Sequence, residues 1–515
     1  MSASSSSPVL RIALVALIVF SLGALVAGCT VPGKSHFVGT PKNMPPSLHY
    51  LPGDALGWIM VDTNGKRADA QRLEQTLGTQ PDTDLAGPIL VGLIRGDGPN
   101  DIDTWVGHAA GIVRYTARSG EPSKLTFVDV AHVGALEKVL HRSGWTRTAT
   151  QLDAGRGHQL RLWTRAGTAK DELGAIGVAS DALVGAKTRT DLAALVKDTK
   201  RYSADQRAST IQYTIDALKS SPISIVFRSD QVRSDLRTLV NDNPAFLEMS
   251  RWLTKASSIY ALRDGWIGAV PASGARAKTD IHLIGRMDWA RSATQVPEPK
   301  GVPRPKPADL VGADWAVEIA NPGSYAQDVV NAISDGGNQF VTKLDDPKGT
   351  PKLDDLLNKL DGPALITGHK GYVAVTVQVK DPTQTEQEAK AAIKLAGIGD
   401  WVDVANLGAG TGLTIDVQTH RGTMMSDAVA TTPKVAAEMS DQATQIFDTM
   451  NAAGKAPSQP VAWVYQAKSP CDAAHPAAGW ISWDSTSQRL TYSFDVPVVQ
   501  GVHRAVNPCS TLAGA

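Results

Sequence analysis

The 515-residue chain carries 51 Lys+Arg against 51 Asp+Glu and is 42% hydrophobic, a globular composition rather than a disordered or collagenous one. Zero net charge supplies no broad positive field for a phosphate backbone, which excludes nucleic acid as the expected partner. The length accommodates about two to four domains with their own cores, so small-scaffold devices are not needed to fold it.

The first 28 residues hold one charged group, Arg11, ahead of the uncharged run IALVALIVFSLGALVAG from Ile12 to Gly28. A short positive end, an apolar segment and small residues make an export signal. Its seventeen apolar or small residues sit at the lower limit for spanning hydrocarbon, and no basic cluster follows to stop transfer. A retained transmembrane helix is the alternative. The run ends on Val26-Ala27-Gly28-Cys29, which resembles the lipobox of bacterial lipoproteins. That resemblance implies that the Cys29 thiol is alkylated with diacylglycerol and the peptide bond before it cut, leaving Cys29 as a lipidated N-terminus. Two or three acyl chains anchor stably where one does not. Residues 30–47, TVPGKSHFVGTPKNMPPS, are polar and broken by Pro32, Pro41, Pro45 and Pro46. They read as a flexible tether holding the body on the order of 20 to 25 Å from the bilayer.

The body divides at VPEPKGVPRPKPAD, whose five prolines keep it out of a sheet or helix interior. The expected organisation is a signal peptide at 1–28, a tether at 29–47, a first domain at 48–295, a linker at 296–309 and a second domain at 310–515. Each half opens on a turn and an apolar strand, Ala55 to Val61 and Trp315 to Ile319, followed by a helix. A strand pair and a helix come next: Ala109 to Tyr115, Leu125 to Val130 and Val133 to His141 match Ala364 to Thr367, Tyr372 to Val379 and Pro382 to Leu395. In the latter strand Val373, Val375, Val377 and Val379 share one face, the expected core side.

Both halves close on a Trp-led hairpin, Gly265-Trp266 with Ile281 to Met287 and Gly479-Trp480 with Leu490 to Val496. The first half carries an additional strand and helix, Ile223 to Phe227 and Asp230 to Val240. Asn243-Pro244, Asn321-Pro322, Asp381-Pro382 and Thr432-Pro433 each place an acceptor at the N-cap and proline at the first helical position. The predicted class is α+β: two tandem related domains, each an antiparallel sheet covered by helices on one face.

Outside the cytoplasm the remaining cysteines, Cys471 and Cys509, are expected to form a disulfide, closing a loop worth about 4 kcal/mol in the chain-entropy model. Two unpaired buried thiols, or a zinc site drawing on nearby His475 and His503, are the alternatives. The leader, the lipobox, the opening LPGDALGWIMVDTN and the segment GVASDALVGAKTRTDLAALV from Gly177 to Val196 resemble the bacterial envelope proteins grouped as domain of unknown function family 3352. The resemblance implies location and fold, and carries no catalytic residues.

Chemical motifs are sparse. The nearest of eleven histidines, His132 and His141, are nine apart, so no HxH or HExxH sets two imidazoles on one face. No GxSxG elbow or SxxK pair is present, which leaves open a triad assembled from distant residues. Cysteine is not an expected nucleophile, since Cys29 is lipidated and the others pair. Gly408, Gly410 and Gly412 precede a predicted strand, so they suit a hairpin turn better than a phosphate cradle. Asp97, Asn100, Asp101 and Asp103 depart from calcium-loop spacing.

No cofactor, metal or catalytic residue is assigned. Twelve tryptophans suit either core filling or ligand stacking, and Trp480 is the candidate contact residue because it faces away from Ile481 and Trp483. The expected function is a lipid-anchored extracytoplasmic lipoprotein of the cell membrane. It is read as a non-catalytic binding or scaffold protein for an envelope protein or wall polymer. A carrier of lipid or another apolar ligand and an enzyme with a noncontiguous site are the alternatives.

Overall fold

The computed structural model describes residues 45–51, 57–63, 67–77, 104–116, 122–153, 159–165, 173–198, 204–228, 262–272, 280–289, 300–303, 315–320, 353–360, 362–369, 372–396, 402–406, 412–418, 460–466, 477–484 and 489–497, with a few flanking positions. They begin with a 3-10 helix, Pro46–Tyr50, and continue through β1 (Gly57–Asp62), α1 (Ala68–Leu77), β2 (Val106–Thr116), β3 (Pro122–Val130) and α2 (Val133–Arg142). Next come β4 (Thr146–Asp153), β5 (Gln159–Thr164), β6 (Ala175–Val178), β7 (Ala182–Ala186), α3 (Arg189–Asp198), α4 (Ala204–Ser220), β8 (Ile223–Phe227), β9 (Leu262–Pro271) and β10 (Asp280–Trp289). The second half contributes β11 (Trp315–Ile319), α5 (Leu353–Lys359), β12 (Ala364–His369), β13 (Tyr372–Gln378) and α6 (Pro382–Ala396). It ends with β14 (Val402–Asn406), β15 (Gly412–Gln418), β16 (Ala462–Gln466), β17 (Ala477–Asp484) and β18 (Arg489–Pro497).

The protein is mostly antiparallel sheet with a few helices. All eighteen strands among the described residues join one sheet, in the order β4-β5-β6-β7-β3-β2-β1-β8-β9-β10-β18-β17-β16-β11-β12-β13-β15-β14, and every neighbouring pair is antiparallel. Outward from the β10–β18 seam the connectivity repeats. The series β10, β9, β8, β1, β2, β3, β7, β6 on one side answers β18, β17, β16, β11, β12, β13, β15, β14 on the other. The strand Ile223 to Phe227, read from sequence as an addition to the first half, therefore has a counterpart in β16. Beyond β6, the hairpin β4–β5 has none among the described strands.

Alternation along the strands gives each face its own core. On the front face of the first half, Trp58, Met60, Phe127 and Trp266 pack under the 3-10 helix, α3 and α4. On the back face, Val61, Ala110, Val128 and Leu183 pack under α1 and α2. Helices thus cover both faces of this half, which corrects the expected one-sided cover. The reason lies in the strands, since β6 and β7 are buried at every position and need a layer on each side. In the second half α5 and α6 bury Leu356, Leu357 and Ala389 against Val317, Val464 and Ile481 on the back.

Local signals explain several boundaries. Pro382 opens α6, and the Asp381 carboxylate caps it by accepting the Gln384 N–H at 3.0 Å. The Gly-rich segment after β14 leads into β15, which pairs antiparallel with β14, so it joins two strands and precedes no helix. Arg67 ties α1 to the end of α4, reaching Asp62 at 2.8 Å, Asp69 at 2.7 Å and the Lys219 carbonyl at 3.2 Å. A guanidinium beside the last carbonyls of a helix complements its dipole.

Residues 47–51 are built into the front core. Leu48 is fully buried, Tyr50 nearly so, and the Asp129 carboxylate accepts the Ser47 N–H at 2.9 Å. Burial pushes the Asp129 carboxyl up to about 6, against the smaller downward pull of Ser47. A folded-state value above the unfolded one means the native chain holds the proton longer. Stability from this group is complete below about pH 4 and is lost as pH rises through about 6, a change of about 2 to 3 kcal/mol. Asp129→Asn retains the acceptor and removes the charge. Urea denaturation should show it about 2 to 3 kcal/mol more stable than wild type at pH 7.5, with the gap narrowing to about 1 kcal/mol at pH 4.5. An equal gap at both pH values would contradict this account.

Candidate functional site

Cys29, Cys471 and Cys509 lie outside the described residues. Trp480 lies within them, on the front face of β17, with 3% of its surface exposed. It packs 6.1 Å, centroid to centroid, from Trp463 of β16 in a tilted arrangement, together with Tyr465, Ala478 and Val302. Ile481 and Trp483 belong to the back core, so the opposite facing read from sequence holds. The indole is nevertheless core material. Val302, from the Pro-rich stretch, is 3% exposed and its N–H donates to the Pro460 carbonyl at 2.7 Å, which places Val302 over the front of the second half.

Beside Trp480 the seam brings together polar side chains far apart in sequence. On the front face, β10 and β18 set His282 opposite Asp495, Ile284 opposite Ser493, Arg286 opposite Thr491 and Asp288 opposite Arg489. Trp480 stands opposite Ser493 from the other side. The Asp495 carboxylate lies 2.6 Å from His282 Nδ1, and Ser493 Oγ lies 3.1 Å from His282 Nε2. An ionised carboxylate only accepts, so Nδ1 carries the proton; in the neutral ring Nε2 is then an acceptor and the Ser493 hydroxyl donates to it.

The pair is largely shielded, with 13% of the His282 and 10% of the Asp495 side chain exposed. Two ion pairs lie farther along the same face, beyond Ser493. Arg286 pairs with Asp216 of α4 and lies 5.5 Å from the Tyr213 ring centroid, while Arg489 donates to Asp288 at 3.0 Å. Burial raises the Asp288 carboxyl and Arg489 partly offsets this. Thr491 is exposed and hydrogen-bonds Ser482, so water reaches the front face next to Ser493.

This constellation has no contiguous motif. His282 precedes Ser493 by 211 residues, and only the pairing of β10 with β18 joins them. The one signal in the sequence is the spacing Ser493-x-Asp495 inside a strand, which puts a hydroxyl and a carboxylate on one face.

Fold and seam define a mostly antiparallel β protein with a hydroxyl, an imidazole and a carboxylate hydrogen-bonded in series. No family model matches the chain, and no curated protein matches it. Among solved structures it is similar to one described as "Structure of crystal form I of TP0453", with 9% identity over 49% of this chain and 82% of that one. The TM-score is 0.26, a likeness too slight to assign a fold or a role.

Proposed function

We propose that the chain is a lipid-anchored lipoprotein of the outward face of the cell membrane, a binding or scaffold protein built from two related domains, residues 48–295 and 310–515. The observation that carries this reading is Val26-Ala27-Gly28-Cys29 at the end of an uncharged leader. The docking of Pro46–Tyr50 supports it, since the tether ends where a buried carboxylate grips Ser47 and force on the anchor passes into the sheet. The strand order repeated about the β10–β18 seam supports two related domains joined edge to edge. The kinship with family 3352 belongs to the same proposal, as does an envelope protein or wall polymer as partner.

Metabolic labelling of the producing cells with a fatty-acid analogue tests the anchor. The wild-type chain should incorporate label, and Cys29→Ala should fall to background; undiminished label in the variant would overturn the assignment. Native mass spectrometry of the mature protein separates a scaffold, which flies empty, from a carrier, which retains a stoichiometric lipid.

A further inference from the structure

We infer that Ser493, His282 and Asp495 form an activated nucleophile that accepts an acyl group from small uncharged carboxylic esters. The two hydrogen bonds run in the order that general-base activation needs, carboxylate to Nδ1 and Nε2 to hydroxyl, at 2.6 and 3.1 Å. The carboxylate fixes the tautomer and steadies the imidazolium that forms. The fold supplies the alignment, because His282 and Asp495 are direct cross-strand partners and Ser493 follows two residues along on the same face.

Atoms balance with water as the second reactant. Ser493 Oγ bonds to the ester carbonyl carbon as Nε2 takes its proton. The carbon–oxygen bond to the alcohol then breaks, and the alcohol leaves with that proton. Water, deprotonated by the same nitrogen, releases the carboxylic acid and restores Ser493. Substrate class follows from the neighbours, since Ser493 lies between Trp480 on one strand and Ile284 on the other, and Arg286 is already paired with Asp216. Those neighbours are apolar and leave no unpaired Arg286 charge for an anionic acyl group, so the preference is for an uncharged one. β18 is paired on both sides, so its amides are engaged in the ladder and do not preorganise an oxyanion hole. Turnover is accordingly expected about 10²- to 10³-fold below that of sites with such donors.

The purified mature chain is treated with a fluorophosphonate probe and, separately, with p-nitrophenyl butyrate. The expected result is one phosphonate per chain on the peptide containing Ser493, with slow release of p-nitrophenol. Ser493→Ala should lose both. Asp495→Asn, near-isosteric but favouring the wrong tautomer, should slow labelling by roughly a hundredfold or more. Thr491→Ala, which changes an exposed hydroxyl on the same strand face, should label at the wild-type rate. Circular dichroism establishes that each variant is folded. If Ser493→Ala does not fold, the mapped peptide of the wild type decides. Label absent from the folded wild type, label mapped to another residue, or an unchanged rate in Asp495→Asn would overturn the assignment.

Discussion

Gly285→Ala is expected to destabilise the protein by about 3 kcal/mol, because the seam leaves no room for a methyl group. Gly285 sits in β10, paired with Ile267 of β9 and with Tyr492 of β18. A Cβ there would fall within 3.0 Å of the Trp266 carbonyl oxygen and of the Tyr492 ring. The ring has no free direction in which to yield. Tyr492 is buried in the back core, its hydroxyl donates to that same carbonyl, and burial holds its phenol well above the ordinary range. The backbone cannot retreat without breaking a ladder on one side or the other. Urea denaturation of wild type and variant measures the cost, and a change under about 0.5 kcal/mol, the range of an ordinary surface substitution, would contradict the close approach. The position matters because it joins the halves: Tyr492 of the second crosses Gly285 to bond Trp266 of the first.

Much of the strand ladder was legible because its signals are local. Alternation marks β13, where Val377, and Val379 just past its end, are buried as expected, and Asp381-Pro382 marks the start of α6. Repetition of strand, strand pair, helix and Trp-led hairpin shows the two halves. The pairing of those hairpins through β10 and β18 left no such trace, since antiparallel contact between strands some 200 residues apart is written only in their complementary faces. Helices on both faces of the first half were equally hidden. Ala175–Val178 and Ala182–Ala186 are short apolar runs that a one-sided sheet would not need, yet runs of that length do not identify what covers them. The site suffers most from this limit. His282, Ser493 and Asp495 are unremarkable singly, and become a hydrogen-bonded series only once the seam sets their register.

Trp480→Ala is expected to cost about 3 to 5 kcal/mol, the range for removing a buried indole. The side chain is 3% exposed, and the cavity it would leave is framed by Trp463, Tyr465, Ala478 and Val302. Collapse is resisted because β17 is paired on both edges, with β16 and with β18. A tryptophan serving as a surface contact behaves otherwise, since its truncation weakens partner binding while stability stays within about 0.5 kcal/mol. Thermal and urea denaturation therefore decide between the core placement and the contact role suggested by its facing. Trp483→Ala provides the internal comparison, being only partly buried at the edge of the back core, and should cost less. Val302 closes over the same cluster and is tied to Pro460, so loss of the indole also removes apolar surface that holds Val302 against the sheet. Faster proteolysis near residue 302 in Trp480→Ala than in Trp483→Ala is the local consequence, and equal rates would place the support for that stretch elsewhere.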